Sequence, residues 1–331
     1  MKIKEVTGID ISKLSNEAIL HTNQQALTFE NNRQGFRKLV GWVQKNASCK
    51  PEEIMYCFEH TGMYSSQLAL FLTEKQHQFC IIPGLEIKRS LGLQRGKNDK
   101  VDAKRIALYG YRRRDEIKPY VMPSKELIKI RQLLSLRNRL VKNRAGYMVT
   151  LKEQTRILVK KENKVLFTVY EKMIRELSKQ IGKVEEEINT IVSENSELKK
   201  IFDLITSVHN VGPQTALYMI VLSNGFLLFK NSRKFASYAG IAPFQYESGT
   251  SIKGKTKVSH LANKKIKALL SSCATSAIRH NPEIRAYYNK KLKEGKHEMS
   301  VKNAVRNKIL SRIFAVVNRG TPYIDMYKFA S

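Results

Sequence analysis

Acidic residues are scarce in this chain. Only 29 Asp and Glu stand against 59 Lys and Arg among 331 residues, a formal net charge of +30. So large a surplus points to a polyanionic partner, with nucleic acid the first candidate and an anionic membrane surface the second. Long apolar runs are also missing: no stretch approaches the ~18 residues that a membrane-spanning helix needs. The start, Met1-Lys2-Ile3-Lys4-Glu5, lacks the apolar core of a signal peptide, so a cytoplasmic protein is expected. Cysteine is sparse, and Cys49, Cys57, Cys80 and Cys273 show no CxxC spacing. That excludes a disulfide framework or zinc knuckle and suits buried thiols in a reducing compartment. What is present is apolar content of 42%, enough for a real core and against wholesale disorder. The length suits two or three domains of ~100–200 residues each.

The first part alternates strands and helices. Lys4 to Ser12 reads as a strand rich in β-branched residues, with Gly8 marking close backbone approach and Asp10 inside it. A carboxylate within an apolar strand is expensive unless solvated, paired or on a metal. Gln24 to Phe29 is expected to be a returning strand, and Arg33 to Lys45 a helix capped by Asn32. Ile54 to Phe58 is the next strand. It runs into Glu59-His60-Thr61-Gly62-Met63-Tyr64 and a helix to Glu74, and Gln78 to Ile82 is a further strand. The expected order is ββαβαβα. In α/β sheets sites lie beyond the carboxyl ends of strands, where Asp10 and Glu59 can converge. The spacing from Gly92 to Lys97 is one residue short of a phosphate loop and is set aside.

Lys97-Asn98-Asp99-Lys100-Val101-Asp102-Ala103-Lys104 opens a helix that continues toward Arg113. Asp99 and Asp102 share one face of its first turn. Two acids there can hold a hard divalent cation, or can merely favour the helix N-terminus through its dipole.

From about Ser124 to Ile205 the texture is helical. Leu133, Leu136 and Leu140, and then Met173, Leu177, Ile181, Val184, Ile188, Ile191 and Leu198, form heptad-like seams. Two long antiparallel helices broken around Lys160 to Lys164 are expected, serving as an internal hairpin or a dimerising coiled coil. The segment Val208-His209-Asn210-Val211-Gly212-Pro213-Gln214-Thr215-Ala216 resembles a helix-hairpin-helix turn, which can aim backbone N–H groups at a phosphate. Phe235 to Pro243 leads to Tyr246-Glu247-Ser248-Gly249-Thr250-Ser251, followed by a Lys-rich stretch without a carboxylate as far as Lys267. Helices are expected at Lys264 to Arg279 and Val301 to Asn318. Tyr246, Tyr287 and Tyr288 stand amid bases and can stack on nucleotides or belong to the scaffold.

The ordered set Asp10 in GIDISK, Glu59 in FEHTGMY, and Asp99 with Asp102 in KNDKVDA is followed by VHNVGPQTA, FASYAGIAP and YESGTSIKG. Together these closely resemble the DEDD transposases of bacterial insertion sequences. That family includes the pilin-gene invertases and the bridge-RNA-guided recombinases. The likeness runs from residue 5 to about residue 320.

The resemblance implies an α/β plus α architecture. Residues 1–123 would form a RuvC-like (RNase H fold) DEDD catalytic domain, 124–200 a helical coiled-coil spacer, 201–320 a mostly helical C-terminal transposase domain, and 321–331 a tail. It implies Asp10, Glu59, Asp99 and Asp102 as ligands of Mg²⁺, with Mn²⁺ as a substitute. It also implies Ser248 as a nucleophile forming a transient phosphoserine link to DNA. Ser251 and Ser259 are rivals that spacing leaves open. The implied partners are DNA at the element ends and target, a structured noncoding guide RNA, and further copies of the chain joined through the helical spacer. The sequence departs from the family pattern at Asn98, where Thr is usual, at Asn210, where Gly is common, and at His260 and Ala262. A RuvC-like junction nuclease using water, or a non-catalytic nucleic-acid-binding protein, are the alternative readings.

Overall fold

The computed structural model describes residues 2–90, 98–229, 231–248 and 252–324. The chain divides into two compact units, Met1–Met122 and Pro123–Ser331.

The first unit is built on β1 (Glu5–Ile11), β2 (Ser15–Leu20), β3 (Ala26–Glu30), α1 (Arg33–Asn46), β4 (Ile54–Glu59), α2 (Met63–Glu74), β5 (Phe79–Ile82), α3 (Gly84–Ser90) and α4 (Asp99–Arg112). The five strands lie in the order β3-β2-β1-β4-β5. β1, β2 and β3 pair antiparallel, whereas β4 joins β1 and β5 joins β4 in parallel. The expected ββαβαβα order thus lacked one strand, β2. Its sequence, Ser15-Asn16-Glu17-Ala18-Ile19-Leu20, opens with polar residues and hides the alternation on which strand recognition depends.

Strand alternation sorts the core onto the two sheet faces. Ile9 and Ile11 of β1, with Ile54, Tyr56 and Phe58 of β4, pack with Phe36 and Leu39 of α1 and with Leu68 and Leu72 of α2. Val6, Met55, Cys57, Cys80 and Ile82 pack on the other face with Ile87 of α3 and with Ile106 and Tyr109 of α4. The cysteines are free thiols, and Cys57, Cys80 and Cys273 are buried.

The second unit opens with α5 (Lys125–Ile157) and α6 (Lys164–Glu194), followed by α7 (Ser196–Thr206), α8 (Pro213–Ser223) and α9 (Ser232–Tyr238). A two-stranded ribbon, β6 (Pro243–Ser248) with β7 (Ile252–Val258), precedes α10 (Lys264–His280), α11 (Pro282–Lys293) and α12 (Glu298–Arg319). α5 and α6 run antiparallel, linked by Lys129–Glu187 near the base and Arg137–Glu185 farther out. The sequence seam is interrupted at Asn195, which caps α7 by accepting from Leu198 N.

The base of this hairpin shares one core with the helices that follow. Leu127, Ile130 and Leu134 of α5 and Val184, Ile188 and Ile191 of α6 meet Leu217 and Ile220 of α8 and Ile309 and Ile313 of α12. The hydrophobic core is therefore continuous across the boundary expected near residue 200. At the far end of the hairpin, apolar side chains are left exposed: Ile157 at 81% and Val165 at 79%. No helix among the described residues is long and apolar enough to cross a membrane.

Candidate active site

Asp10 and Glu59 lie at the carboxyl ends of neighbouring parallel strands. The β1–β4 register pairs Gly8 with Cys57 and Ile9 with Phe58, so Asp10 and Glu59 continue the ladder side by side. Adjacent strands stand ~4.8 Å apart. Period-two alternation puts Val6, Gly8 and Asp10 on one face, and Cys57 and Glu59 on the same face, because Val6 and Cys57 share the core cluster beneath α4.

α4 crosses this face antiparallel to β1, and glycines set its height. A Cβ on Gly110 would meet Cys57 Sγ at 2.7 Å and Val6 Cγ1 at 2.9 Å. One strand pleat on, a Cβ on Gly8 would meet Ala107 N at 2.2 Å and the Ala103 carbonyl oxygen at 2.3 Å. Moving along β1 from Val6 to Asp10 therefore moves backward along α4 from Gly110 toward Asp99. The strand distance is ~13 Å and the helix distance ~16 Å, so the first turn of α4 reaches the carboxyl edge of β1 and β4. Asn98 caps that turn, its side-chain oxygen accepting from Val101 N at 2.8 Å. Asn is as good an N-cap as the Thr usual there, which accounts for the departure at this position.

Asp10 and Glu59 thus share one edge, and the first turn of α4, with Asp99 and Asp102, runs toward it; the four do not touch one another as a metal cage. Among the described residues no three His, Cys, Asp or Glu side chains are gathered closely enough to hold a metal ion. The Asp102 carboxylate pairs with Arg105 Nη1 at 2.8 Å, one helical turn on. The Glu59 carboxylate rests on Gly84 at the start of α3, where a Cβ would lie 2.0 Å from Oε1. Asp99 is exposed, and Asp10 is half-buried with a partner of its own. Of these acids Asp102 is neutralised by a guanidinium, whereas Asp99 keeps its charge in solvent.

The donor set nevertheless suits a hard cation: carboxylate oxygens on a helix start and two strand ends. Just beyond Glu59, the Thr61 hydroxyl is buried with no hydrogen-bond partner among the described residues. Nothing in the sequence singles out Thr61, and only its orphaned hydroxyl marks it. Nor does the sequence single out Glu5, which is buried at 2% exposure at the opposite end of β1. Glu5 is structural. Its carboxylate accepts from Val6 N at 2.8 Å and His21 N at 3.0 Å, and takes the Thr22 hydroxyl.

In the second unit, Ser248 is the last residue of β6, its backbone paired with Ile252; its side chain lies outside the described residues. Ser251 and the stretch from Gly92 to Lys97 also lie outside them. Ser259 is described: its hydroxyl accepts from Leu261 N at 3.1 Å and so closes a turn. The helix-hairpin-helix-like turn lies between α7 and α8. Asn210 has φ of +66°, and Pro213 follows Gly212 at the start of α8. Asn is the side chain best suited to that left-handed conformation after Gly, so the departure at Asn210 keeps the turn. Ala262 packs against Gly240, which has φ of +66° and where an added Cβ would lie 2.2 Å from Ala262 Cβ. Of the tyrosines offered for stacking, Tyr287 lies under Lys308 Nζ at 4.4 Å, and the Tyr288 hydroxyl donates to Glu298 Oε1 at 3.2 Å.

Two transposase family models match the chain. One, of the IS110 DEDD type, covers residues 7–161, and one described as the IS116/IS110/IS902 transposase family covers residues 202–289. The pilin gene-inverting protein of Moraxella bovis is 28% identical over 97% of this chain and 98% of its own length, and that of Moraxella lacunata is equally similar. An uncharacterised 43.6 kDa protein of insertion element IS110 from Streptomyces coelicolor is 30% identical over 42% of this chain and 33% of its own length.

Proposed function

From the premise that the chain belongs to the IS110 family of DEDD-type transposases, we propose that it is a DNA transposase and site-specific recombinase that cuts and rejoins strands through Ser248. The observation that carries the reading is the shared edge of Asp10 and Glu59 beneath the first turn of α4, which bears Asp99 and Asp102. A β3-β2-β1-β4-β5 sheet with acids at its carboxyl edge supports a RuvC-like catalytic domain.

Asp10, Glu59, Asp99 and Asp102 would hold Mg²⁺, or Mn²⁺ in its place; bound there, the ion supplies positive charge against a phosphate. The Ser248 hydroxyl loses its proton and its oxygen attacks the phosphorus of a DNA phosphodiester. A deoxyribose oxygen leaves and takes up a proton. The serine–phosphate ester keeps the bond energy, so a second deoxyribose hydroxyl can displace Ser248 and reseal the strand without ATP. Lys and Arg in excess offset phosphate charge throughout, and binding should weaken steeply with salt.

The family likeness supports a structured noncoding guide RNA as a further partner. The exposed Ile157, Val165 and Val169 at the hairpin tip support association of copies through the helical spacer. A cytoplasmic location fits a DNA substrate. RNA sequencing of the protein purified from cells carrying the flanking DNA checks the guide, and light scattering checks the association.

Trapping on a nicked suicide substrate tests the chemistry. The parent should give a protein–DNA adduct, and Ser248→Ala and Asp102→Ala should not, with DNA binding nearly intact in Ser248→Ala. Adduct lost in Ser251→Ala or Ser259→Ala but kept in Ser248→Ala would move the nucleophile. Cleavage that survives Ser248→Ala without any adduct would favour a junction nuclease using water.

A further inference from the structure

A cavity of about 700 Å³ lies between α9 and the β6–β7 ribbon, lined by Ser237, Phe244, Gln245, Gly254, Lys257 and Leu261 among others. That volume falls within the ~300–1,000 Å³ usual for ligand sites. The ribbon is irregular at this point. Phe244 pairs with Lys257, but Tyr246 pairs with Gly254, so β7 carries an extra residue opposite β6. A bulge of this kind re-aims side chains, and Gly254 leaves the wall without one. Phe244 is 47% exposed and Leu261 57%, which leaves an aromatic ring and an aliphatic chain facing an open space. Lys257 is exposed beside them, and Gln245 adds an amide that can both donate and accept.

A flat apolar ring flanked by a cation and an amide suits a nucleotide: the ring for the base face, the cation for the phosphate and the amide for the base edge. A base inside a duplex cannot present its face, so only an unstacked one fits. Ser248 lies four residues beyond Phe244 on the same strand. That is ~13 Å, or about four stacked nucleotides at ~3.4 Å each.

We propose that this cavity binds one unstacked base of the DNA strand undergoing exchange, stacked on Phe244, with Gln245 at its edge and Lys257 at its phosphate. The inference rests on the reading of the chain as a DNA recombinase, and needs neither a bound metal nor Ser248 chemistry.

Photocross-linking of the full chain tests it. The probe is an oligodeoxythymidine of about twelve nucleotides carrying one 4-thiothymidine, with the matching oligouridine carrying 4-thiouridine as the RNA arm. The DNA cross-link should map to the peptide spanning residues 243–261. Phe244→Ala should weaken binding of the oligodeoxythymidine about tenfold and lose that cross-link, because stacking on one aromatic ring carries an effect of that size. Phe244→Tyr should restore both, and thermal melting should confirm that the exposed substitutions leave the fold intact. Tight binding with cross-links only outside the ribbon, or binding unchanged in Phe244→Ala, overturns the inference alone. Cross-linking of the ribbon by the RNA probe only overturns the assignment to DNA. No binding of either probe at low salt overturns the recombinase reading and this inference with it.

Discussion

Gly8 and Ala107 meet backbone to backbone: a Cβ on Gly8 would stand 2.2 Å from the Ala107 amide nitrogen. That contact sets how closely α4 lies on β1, and so how near the helix start bearing Asp99 and Asp102 comes to Asp10. The obstructing atoms are main chain and cannot rotate away. Gly8→Ala should therefore cost about 3 kcal/mol, at the upper end of overpacking penalties. Urea denaturation measures this, and a loss below about 1 kcal/mol would show that α4 lifts freely.

Gly84 presents the opposite case, since its neighbour is the far end of a side chain. A Cβ there would lie 2.0 Å from Glu59 Oε1, and the carboxylate can swing aside. Gly84→Ala should leave stability within about 1 kcal/mol yet displace one proposed ligand. Strand exchange measured across a Mg²⁺ titration should then need more metal for half-maximal rate. An unchanged Mg²⁺ dependence would argue against Glu59 as a ligand.

Burial gives the first unit an acid-sensitive component. His21, stacked on Tyr111 with ring centroids 4.0 Å apart, has its pKa lowered by desolvation first and by Arg114, Arg112 and Lys104 next, against Glu5, which raises it. His77 is lowered by desolvation and then by Lys75. The folded imidazoles thus refuse a proton that the unfolded ones accept near pH ~6.5. This contribution to stability is present above that pH and is lost as pH falls through it toward the folded values. The thermal midpoint should drop more between about pH 7.5 and about pH 5.5 in the parent than in a His21→Gln, His77→Gln double variant.

The parts legible in the sequence were those with strong local signals. Asn32 and Asn98 announce helix starts and do cap them, accepting from Gly35 N and Val101 N. Gly8 announced close approach, and α4 is what approaches. β2 was invisible because half its residues are polar. The ribbon shows in the sequence only as a Lys-rich stretch, because Lys253, Lys255 and Lys257 mask its period and its bulge breaks the alternation. α11 lay unnoticed behind Pro282, which occupies the first helical position and does not end the helix. For the candidate site, order along the chain suggests that the acids share an edge, and the sheet register puts Asp10 and Glu59 side by side. The Asp102–Arg105 pair is local, three residues apart on one helix, but the contact of Glu59 with Gly84 acts through space and was not legible.

The approach to the ribbon is tied to α12 at one carbonyl. Asn303 and Asn307 of α12 both donate to the oxygen of Ile241, at 2.7 and 3.0 Å, and Ile241 itself is fully buried. Ile241 follows Gly240, whose positive φ turns the chain toward Pro243, the first residue of β6. The two amides thus hold the segment that leads into the strand bearing Ser248, together with the Ile241 and Ala242 amides that donate to the Ala236 carbonyl. Losing one donor still leaves the oxygen paired and should cost about 1 kcal/mol. Losing both strands a buried acceptor, which adds a desolvation penalty of about 1–3 kcal/mol. The Asn303→Ala, Asn307→Ala double variant should therefore be less stable than the sum of the singles, a coupling that a double-mutant cycle reads directly. If Ser248 is the nucleophile, the single variants should also slow adduct formation about tenfold while DNA affinity stays within about twofold, because neither amide contributes to the basic surface. Additive stabilities with an unchanged adduct rate would mean that the ribbon is held elsewhere, most plainly at its far foot, where Asn263 donates through its side chain to the Tyr238 hydroxyl at 2.8 Å.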